Sequence, residues 1–442
     1  MKRNAAQHQK KAIGTIHVGL IGLGTVGTGV ARILKNRRDL LRLRSGFDFV
    51  LKRVCVRHPK KSRDIRTDSY RITRDPRDIL EDPDIDQVVE LIGGLHPAER
   101  IIRGALQNGK DVISANKALF AEKGLGLYRL SRKTGSHIGI EAAVCGGLPI
   151  LKAIREGLQV NQILELYGIL NGTTNSILTA MTDREATYAE ALAQAQARGI
   201  AEKDPSIDVG GRDTAHKLAI LARVAFQREI DLKKIHVEGI QHISPVDIAF
   251  AKSMGYTIKL LGIAKRDGPR LELRVHPTLL HRHHLLANVD GINNGVVVRG
   301  NEVGEILFYG EGAGQRPTAS AVISDMMDIA KKSVSGVPSD EAIYHPAQVK
   351  EFSDVVSRYY IRLEMKNKTG AMARLTEVLG QNGISIASVH QQEIGHVPSV
   401  PVVILTHKAR EKNLSGAVRK MSASRFVTRR ITVIRVEDNH GR

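Results

Sequence analysis

The feature that most constrains this chain is a junction close to its start. The apolar run Thr15-Ile16-His17-Val18-Gly19-Leu20-Ile21 passes directly into Gly22-Leu23-Gly24-Thr25-Val26-Gly27, and a helical stretch follows to about Lys35. A strand, a G-x-G-x-x-G turn and a helix in immediate succession let a pyrophosphate approach backbone N–H groups at a helix N-terminus. Glycines alone would also fit a purely structural turn. The flanks on both sides favour a dinucleotide cradle running from Gly22 through Leu23, Gly24, Thr25 and Val26 to Gly27.

Strand and helix patterns then alternate. Strands are expected at 47–56, 87–92, 111–114 and 137–141, with helices at 97–108 and 119–134. Such alternation implies parallel strands joined by crossover helices, a Rossmann-type doubly wound sheet of the α/β class over 14–148. Beyond Pro149 the rhythm loosens into an α+β unit over 149–316, expected to carry its own sheet and to serve catalysis and dimerisation. A long helix at 317–332 could return to the first domain. Residues 333–357, with Gly336, Pro338 and Pro346, read as a linker, and 358–437 reads as a small βαββαβ, ferredoxin-like domain. A length of 442 residues suits two to three domains. No stretch approaches the roughly 18 uninterrupted apolar residues of a membrane span.

The net charge of +20 raises the question of nucleic acid, and residues 1–80 carry most of it, with 20 basic against 6 acidic residues, a surplus of 14. Nucleic-acid platforms pair basic grooves with stacking aromatics. This chain has no Trp and 4% aromatics, so a solvated basic face that attracts anionic metabolites is expected instead. The segment 1–13 reads as a flexible basic tail with no apolar stretch of a secretory signal behind it. Two cysteines, Cys55 and Cys145, build no disulfide framework and have no zinc spacing. A cytoplasmic protein is expected.

Several polar positions carry candidate chemistry. Arg57 follows the second strand, where an acidic residue would select NAD and an arginine accommodates the 2′-phosphate of NADP. It also belongs to the basic face. Lys117, in Ser114-Ala115-Asn116-Lys117, follows a short strand at its carboxyl end, where ligands gather in open α/β sheets; it is catalytic, substrate-orienting or merely solvated. Asp213 and Lys217 stand four apart and share a helix face, with Glu202, Asp204 and Asp208 on the broken approach. That group either grips a substrate ammonium beside a proton-handling lysine or forms a surface ion pair. His281-Arg282-His283-His284 reads as a polar loop rather than a metal cluster.

Taken together, these segments resemble homoserine dehydrogenase with a C-terminal ACT domain. The resemblance rests on 19–27, Glu90-Leu91-Ile92-Gly93-Gly94, Ser114-Ala115-Asn116-Lys117-Ala118-Leu119, the run 141–150, Gly168-Ile169-Leu170-Asn171-Gly172-Thr173-Thr174-Asn175, the run 202–217, and Gly312-Ala313-Gly314 with 317–322. It implies NADP- or NAD-dependent interconversion of L-homoserine and L-aspartate 4-semialdehyde, in the route to threonine, methionine and isoleucine. By resemblance Lys217 is the proton donor/acceptor and Lys117 a second lysine facing cofactor and substrate. Glu202, Asp208, Asp213, Gly172 and Thr173 match substrate-binding positions. Gly93, Ser114, Gly199 and Gly312 match cofactor-proximal ones. A monovalent cation, sodium, would be held by main-chain carbonyls at Glu141, Val144, Gly146 and Leu148. The family often has Tyr where this chain has Ile200, an acidic residue between the loop glycines where it has Gly210-Gly211, and Pro where it has Thr369.

The resemblance further implies an L-threonine effector at the last domain, and a homodimer or homotetramer. No membrane and no nucleic-acid partner is expected. No kinase activity is expected either, since only about 13 residues precede the first strand. Two other readings of the residues are a noncatalytic regulator responsive to nucleotides and amino acids, and a dehydrogenase for another short hydroxy amino acid.

Overall fold

A computed structural model describes residues 14–59, 70–336, 344–391 and 397–437; the basic tail read at 1–13 lies outside them. The chain divides into two compact units, Met1–Ala153 with Glu311–Tyr344, and Ile154–Gly310 with His345–Arg442.

The first unit is built on a six-stranded sheet. Its strands are β1 (Gly14–Ile21), β2 (Phe47–Cys55), β3 (Arg71–Thr73), β4 (Gln87–Glu90), β5 (Asp111–Ser114) and β6 (Ile138–Gly139), in the order β3-β2-β1-β4-β5-β6. Every neighbouring pair is parallel, the strand order of a dinucleotide-binding fold. β1 is central, so both its faces are covered. That is why it reads as an apolar run rather than an alternating one, with Val18 and Leu20 fully buried. The helix α1 (Thr25–Asn36) leaves the end of β1 and packs on the late helix Gln315–Val334, expected at 317–332. Ala319, Val322 and Met326 of that helix share one core with Val30, Leu34 and Val54. The helix Arg38–Ser45 and the three-residue β3 were not expected from the sequence.

The second unit carries a twelve-stranded mixed sheet. β7 (Ile163–Ile169) lies between Asn293–Gly300 and Tyr256–Asp267, antiparallel to both. Tyr256–Asp267 forms a long hairpin with Arg270–His281. The C-terminal βαββαβ module consists of Val356–Lys366, the helix Ala371–Gln381, Ile386–Gln391, Ser399–Thr406, the helix Glu411–Ser422 and Thr432–Glu437. Separate sheets for this module and for the preceding α+β region were expected. Instead Thr432–Glu437 pairs in parallel with Arg270–His281 through Thr278, Leu279 and Leu280, and one sheet continues through both. The stretch read as a linker is partly ordered into this unit as well. His345–Pro346 pairs with Arg228–Glu229, and Gln348–Val349 pairs with Arg270 and Leu271; residues 337–343 lie outside the described ones.

Buried charge accompanies the apolar pairing of Leu279 with Val436 at this join. Arg274, 1% exposed, donates to Glu437, to Glu272 at 2.9 Å and to Nε2 of His276 at 2.6 Å. Lys265 reaches the other oxygen of Glu437 at 2.7 Å. Burial alone would raise the Glu437 carboxyl, but the charges of Arg274 and Lys265 hold it well below the usual carboxylate range. Burial and the Arg274 guanidinium push the His276 imidazole well below its ordinary value. An arginine can only donate, so Nε2 of His276 accepts and the ring is neutral. Beside this group Arg435 bridges Glu411 at 2.6 Å and Glu238 at 2.5 Å. Arg362 and Tyr360 both donate to the fully buried Asp247, at 2.6 and 3.1 Å. Among the described residues no helix is long and apolar enough to cross a membrane.

Candidate active site

In the first unit a cleft of about 440 Å³ opens at the carboxyl ends of β1 and β2, lined by Gly22, Leu23, Gly24, Arg57, His58 and Arg74 among others. The glycine turn is shaped by close approach. A Cβ on Gly27 would lie 2.1 Å from the Gly22 carbonyl oxygen, so the helix can start against the turn only with glycine there. A Cβ on Gly24 would instead meet nothing within 4 Å, and Gly24 caps α1 with no side-chain hydrogen bond and no acidic residue in the first turn. That open, N–H-lined space fits a dinucleotide pyrophosphate. Arg57 and Arg74, both exposed, bring two guanidinium groups to the same cleft. Cys55 also lines it, but burial pushes its thiol up to about 11, so it is no nucleophile at neutral pH.

Beside the cleft, the ends of β4 and β5 are tied by a polar cluster. Glu90, fully buried, accepts the N–H of Ile92 at 2.8 Å and of Gly93 at 3.2 Å with one oxygen, and the Ser114 hydroxyl at 2.7 Å with the other. Asn116 donates to the Gly94 carbonyl at 2.6 Å and accepts the N–H of Leu119 at 3.2 Å, capping the helix Lys117–Thr134. Lys117 is therefore the first residue of a helix whose start is fixed from both sides. Ser114 and Gly93 serve this scaffold, while Glu90, Asn116 and Arg74 were not singled out from the sequence.

In the second unit the Asp213–Lys217 pair lies inside the protein. Lys217 Nζ sits 2.8 Å from Asp213 Oδ2 and donates to the Leu170 carbonyl at 2.6 Å, with Lys217 8% and Asp213 1% exposed. The surface ion pair alternative is thereby removed. Asp208 joins them through Asn171, whose amide donates to Asp208 at 2.7 Å and to Asp213 at 2.8 Å. Thr173 donates to the Ile200 carbonyl at 3.0 Å, which ties the start of the helix Gly172–Arg184 to the loop carrying Glu202. Gln196 donates to the Glu202 carbonyl at 3.1 Å; the Glu202 side chain itself is exposed. Gly199 follows the helix Tyr188–Ala197. Lys117 and Gly312 belong to the first unit, Lys217 and Gly199 to the second.

The positions expected to hold a cation form a tight buried turn in the first unit. Cys145 has φ 53 and Gly146 φ 20, and a Cβ on Gly146 would lie 2.9 Å from the Gly312 carbonyl oxygen. The Glu141 carboxylate is engaged by the N–H groups of Leu151 and Lys152, both at 2.8 Å, so any ligand role falls to its carbonyl. Among the described residues no group of three His, Cys, Asp or Glu could hold a metal ion.

Comparison with known proteins places these features in one family. Residues 22–141 match the profile "Homoserine dehydrogenase, NAD binding domain", residues 149–327 the profile "Homoserine dehydrogenase", and residues 359–425 the ACT domain. A homoserine dehydrogenase from Pseudomonas aeruginosa is 40% identical over 431 residues, covering 96% of this chain and 99% of the relative. Among solved structures, one from Thiobacillus denitrificans has a TM-score of 0.90 at 40% identity, covering 96% of this chain and 98% of that one. One from S. aureus has a TM-score of 0.77 at 30% identity, covering 97% and 100%.

The two glycines of the turn should separate under substitution. Gly24→Ala is expected to leave the thermal midpoint unchanged and to weaken the nicotinamide cofactor roughly tenfold, about 1.4 kcal/mol, in a titration read by the fluorescence of the reduced cofactor. Gly27→Ala should instead destabilise the fold by about 1–3 kcal/mol or more, read by calorimetry. Equal loss of stability in both would refute the cradle.

Proposed function

The chain belongs to the homoserine dehydrogenase family, and we propose that within it Lys217, oriented by Asp213, moves the proton of the reaction. The enzyme is an NAD(P)-dependent oxidoreductase that interconverts L-homoserine and L-aspartate 4-semialdehyde. Oxidising the alcohol requires a hydride to leave carbon and a proton to leave oxygen. The nicotinamide cofactor, when bound, takes the hydride. Lys217 in its amine form accepts the hydroxyl proton, and as ammonium it returns it to the aldehyde oxygen in the reverse direction. The observation that supports this role is the burial of Lys217 between the Asp213 carboxylate and the Leu170 carbonyl, which leaves its amine little freedom. Glu202, Asp208 and Asp213 supply negative charge for the substrate ammonium, and Gly172 and Thr173 border them. Lys117 is the second lysine, presented at the start of its helix beside Ser114 and Gly93.

NADP is the preferred cofactor in this reading, because Arg57 and Arg74 share the cleft with the glycine turn and no acidic residue follows β2 there. Gly22 through Gly27 hold the pyrophosphate, with Gly93, Ser114 and Gly312 as further cofactor positions of the same unit, and Gly199 is kept as a cofactor position of the second unit. The turn at Cys145 and Gly146 supports a monovalent cation, sodium, held by carbonyls of Glu141, Val144, Gly146 and Leu148. The two buried free cysteines suit a cytoplasmic enzyme. The exposed edge strand Ile386–Gln391 supports assembly as a homodimer or homotetramer, which the mass in solution reads directly.

L-threonine is the proposed effector, bound at the turn between Val356–Lys366 and the helix Ala371–Gln381. This turn is exposed and depends on Gly370 at φ 82. Truncation is a poor probe of it, because removing the module also removes Thr432–Glu437 and strands Arg274.

Three outcomes are expected. Lys217→Ala should lower turnover at least about 10²-fold in a reduced-nicotinamide absorbance assay, while Asp213→Ala also raises the homoserine KM; near-normal turnover of Lys217→Ala would move the role to Lys117. Arg57→Ala should weaken NADP by roughly 10- to 100-fold and NAD little; equal effects on both would make Arg57 part of the basic face. Threonine should inhibit the parent by about 5- to 150-fold and Gly370→Ala much less; an identical response, or none in the parent, would leave the module to assembly alone.

A further inference from the structure

The Asn171 side chain occupies a position that the reaction as described so far does not use. It is 5% exposed and stands between the end of β7 and the helix Gly172–Arg184. Its oxygen accepts the N–H of Thr174 at 2.8 Å and the Thr174 hydroxyl at 3.1 Å, which caps that helix. An asparagine amide has two N–H donors. One goes to Asp208 Oδ1 at 2.7 Å and the other to Asp213 Oδ2 at 2.8 Å. The same Asp213 oxygen meets Lys217 Nζ at 2.8 Å, and Lys217 donates at 2.6 Å to the carbonyl of Leu170, the residue before Asn171. Two consecutive residues thus hold both ends of the Asp213–Lys217 pair. Capping alone explains none of this, since an aspartate or serine would cap as well.

We propose that Asn171 is a positioning residue for the dehydrogenase reaction, using one neutral amide to hold Asp208 and Asp213 side by side and so fix the direction of Lys217. Two carboxylates brought this close repel each other unless donors lie between them. The amide supplies those donors without adding a charge that would compete with Lys217 or the substrate ammonium. The inference rests on the reading that Lys217 and Asp213 act on the substrate, so its test is run beside Lys217→Ala.

Asn171→Ser and Asn171→Asp keep an acceptor for the Thr174 N–H but lose the amide donors, and the second adds a third carboxylate. Asn171→Ser should keep a thermal midpoint near the parent's, Asn171→Asp should lower it through the added buried carboxylate, and both should leave the cofactor KM unchanged. Asn171→Ser should lower kcat and raise the homoserine KM, on the order of 10- to 100-fold in kcat/KM, the scale of a misplaced catalytic group. Asn171→Asp should fall further. Combining it with Asp208→Asn restores a donor–acceptor pair in reverse and should recover part of the loss. If Lys217→Ala is inactive while both single variants keep parental kcat and homoserine KM per folded active site, Asn171 only caps its helix and the proposal is overturned; a lowered thermal midpoint of Asn171→Ser with those same constants overturns it equally. If Lys217→Ala retains parental turnover, the proton-transfer reading fails on its own account, whatever Asn171 does.

Discussion

Arg274 is the charge on which the larger unit turns. A guanidinium removed from water costs several kcal/mol unless every donor finds an acceptor in good geometry. Here Glu437, Glu272 and His276 provide them, and Lys265 balances the second oxygen of Glu437. Glu437 ends the strand Thr432–Glu437, which runs parallel to Arg270–His281, in register from Thr278 to Leu280. Ion pair and strand pairing therefore depend on each other, and losing one partner of such a pair typically costs about 3–5 kcal/mol. The hairpin that carries Arg274 also carries Tyr256–Asp267, which pairs with β7, and β7 ends at the Leu170 carbonyl that holds Lys217. The C-terminal module and the strand beside the Asp213–Lys217 pair belong to one continuous sheet.

The same economy recurs at the ends of strands. Glu90 closes β4, Ser114 closes β5, and Asn171 stands just beyond β7. In each case an apolar strand brings a polar side chain to the point where the chain must turn. Backbone N–H groups released by the turn then need acceptors. Glu90 takes two of them at Ile92 and Gly93, and Asn171 takes one at Thr174. The groups that satisfy the backbone are thus the ones that arrange the site.

Much of this was legible in the sequence, and the limits have physical causes. β1, β5 and the helix Tyr188–Ala197 announce themselves through local apolar pattern and flanking glycines or caps. The helix Arg38–Ser45 does not, because its buried apolar face amounts to Leu41 while Leu43 stands 83% exposed. The continuous sheet leaves no local mark, since Thr278 and Arg435 meet only in the folded chain. Asp213 and Lys217 could be paired by helical spacing, but whether that pair lay inside or outside could not. Asn171 carried one usable signal, a polar residue ending an apolar strand. Its two carboxylate partners lie 37 and 42 residues away, beyond any reading by spacing.

The late position of Thr432–Glu437 in the chain has a consequence for biosynthesis. A ribosome delivers Arg270–His281 long before the strand that carries Glu437 exists. Until then Arg274 has Glu272 and His276 but lacks Glu437, and one flank of the hairpin lacks its partner strand at Thr278–Leu280. Long-range pairing of this kind delays folding and lengthens exposure to chaperones and proteases. A nascent chain halted before Thr432 would hold Asp213 and Lys217 beside a sheet that lacks the strand carrying Glu437. A single buried carboxylate, Glu437, thus ties the last described strand to the sheet beside which the Asp213–Lys217 pair lies.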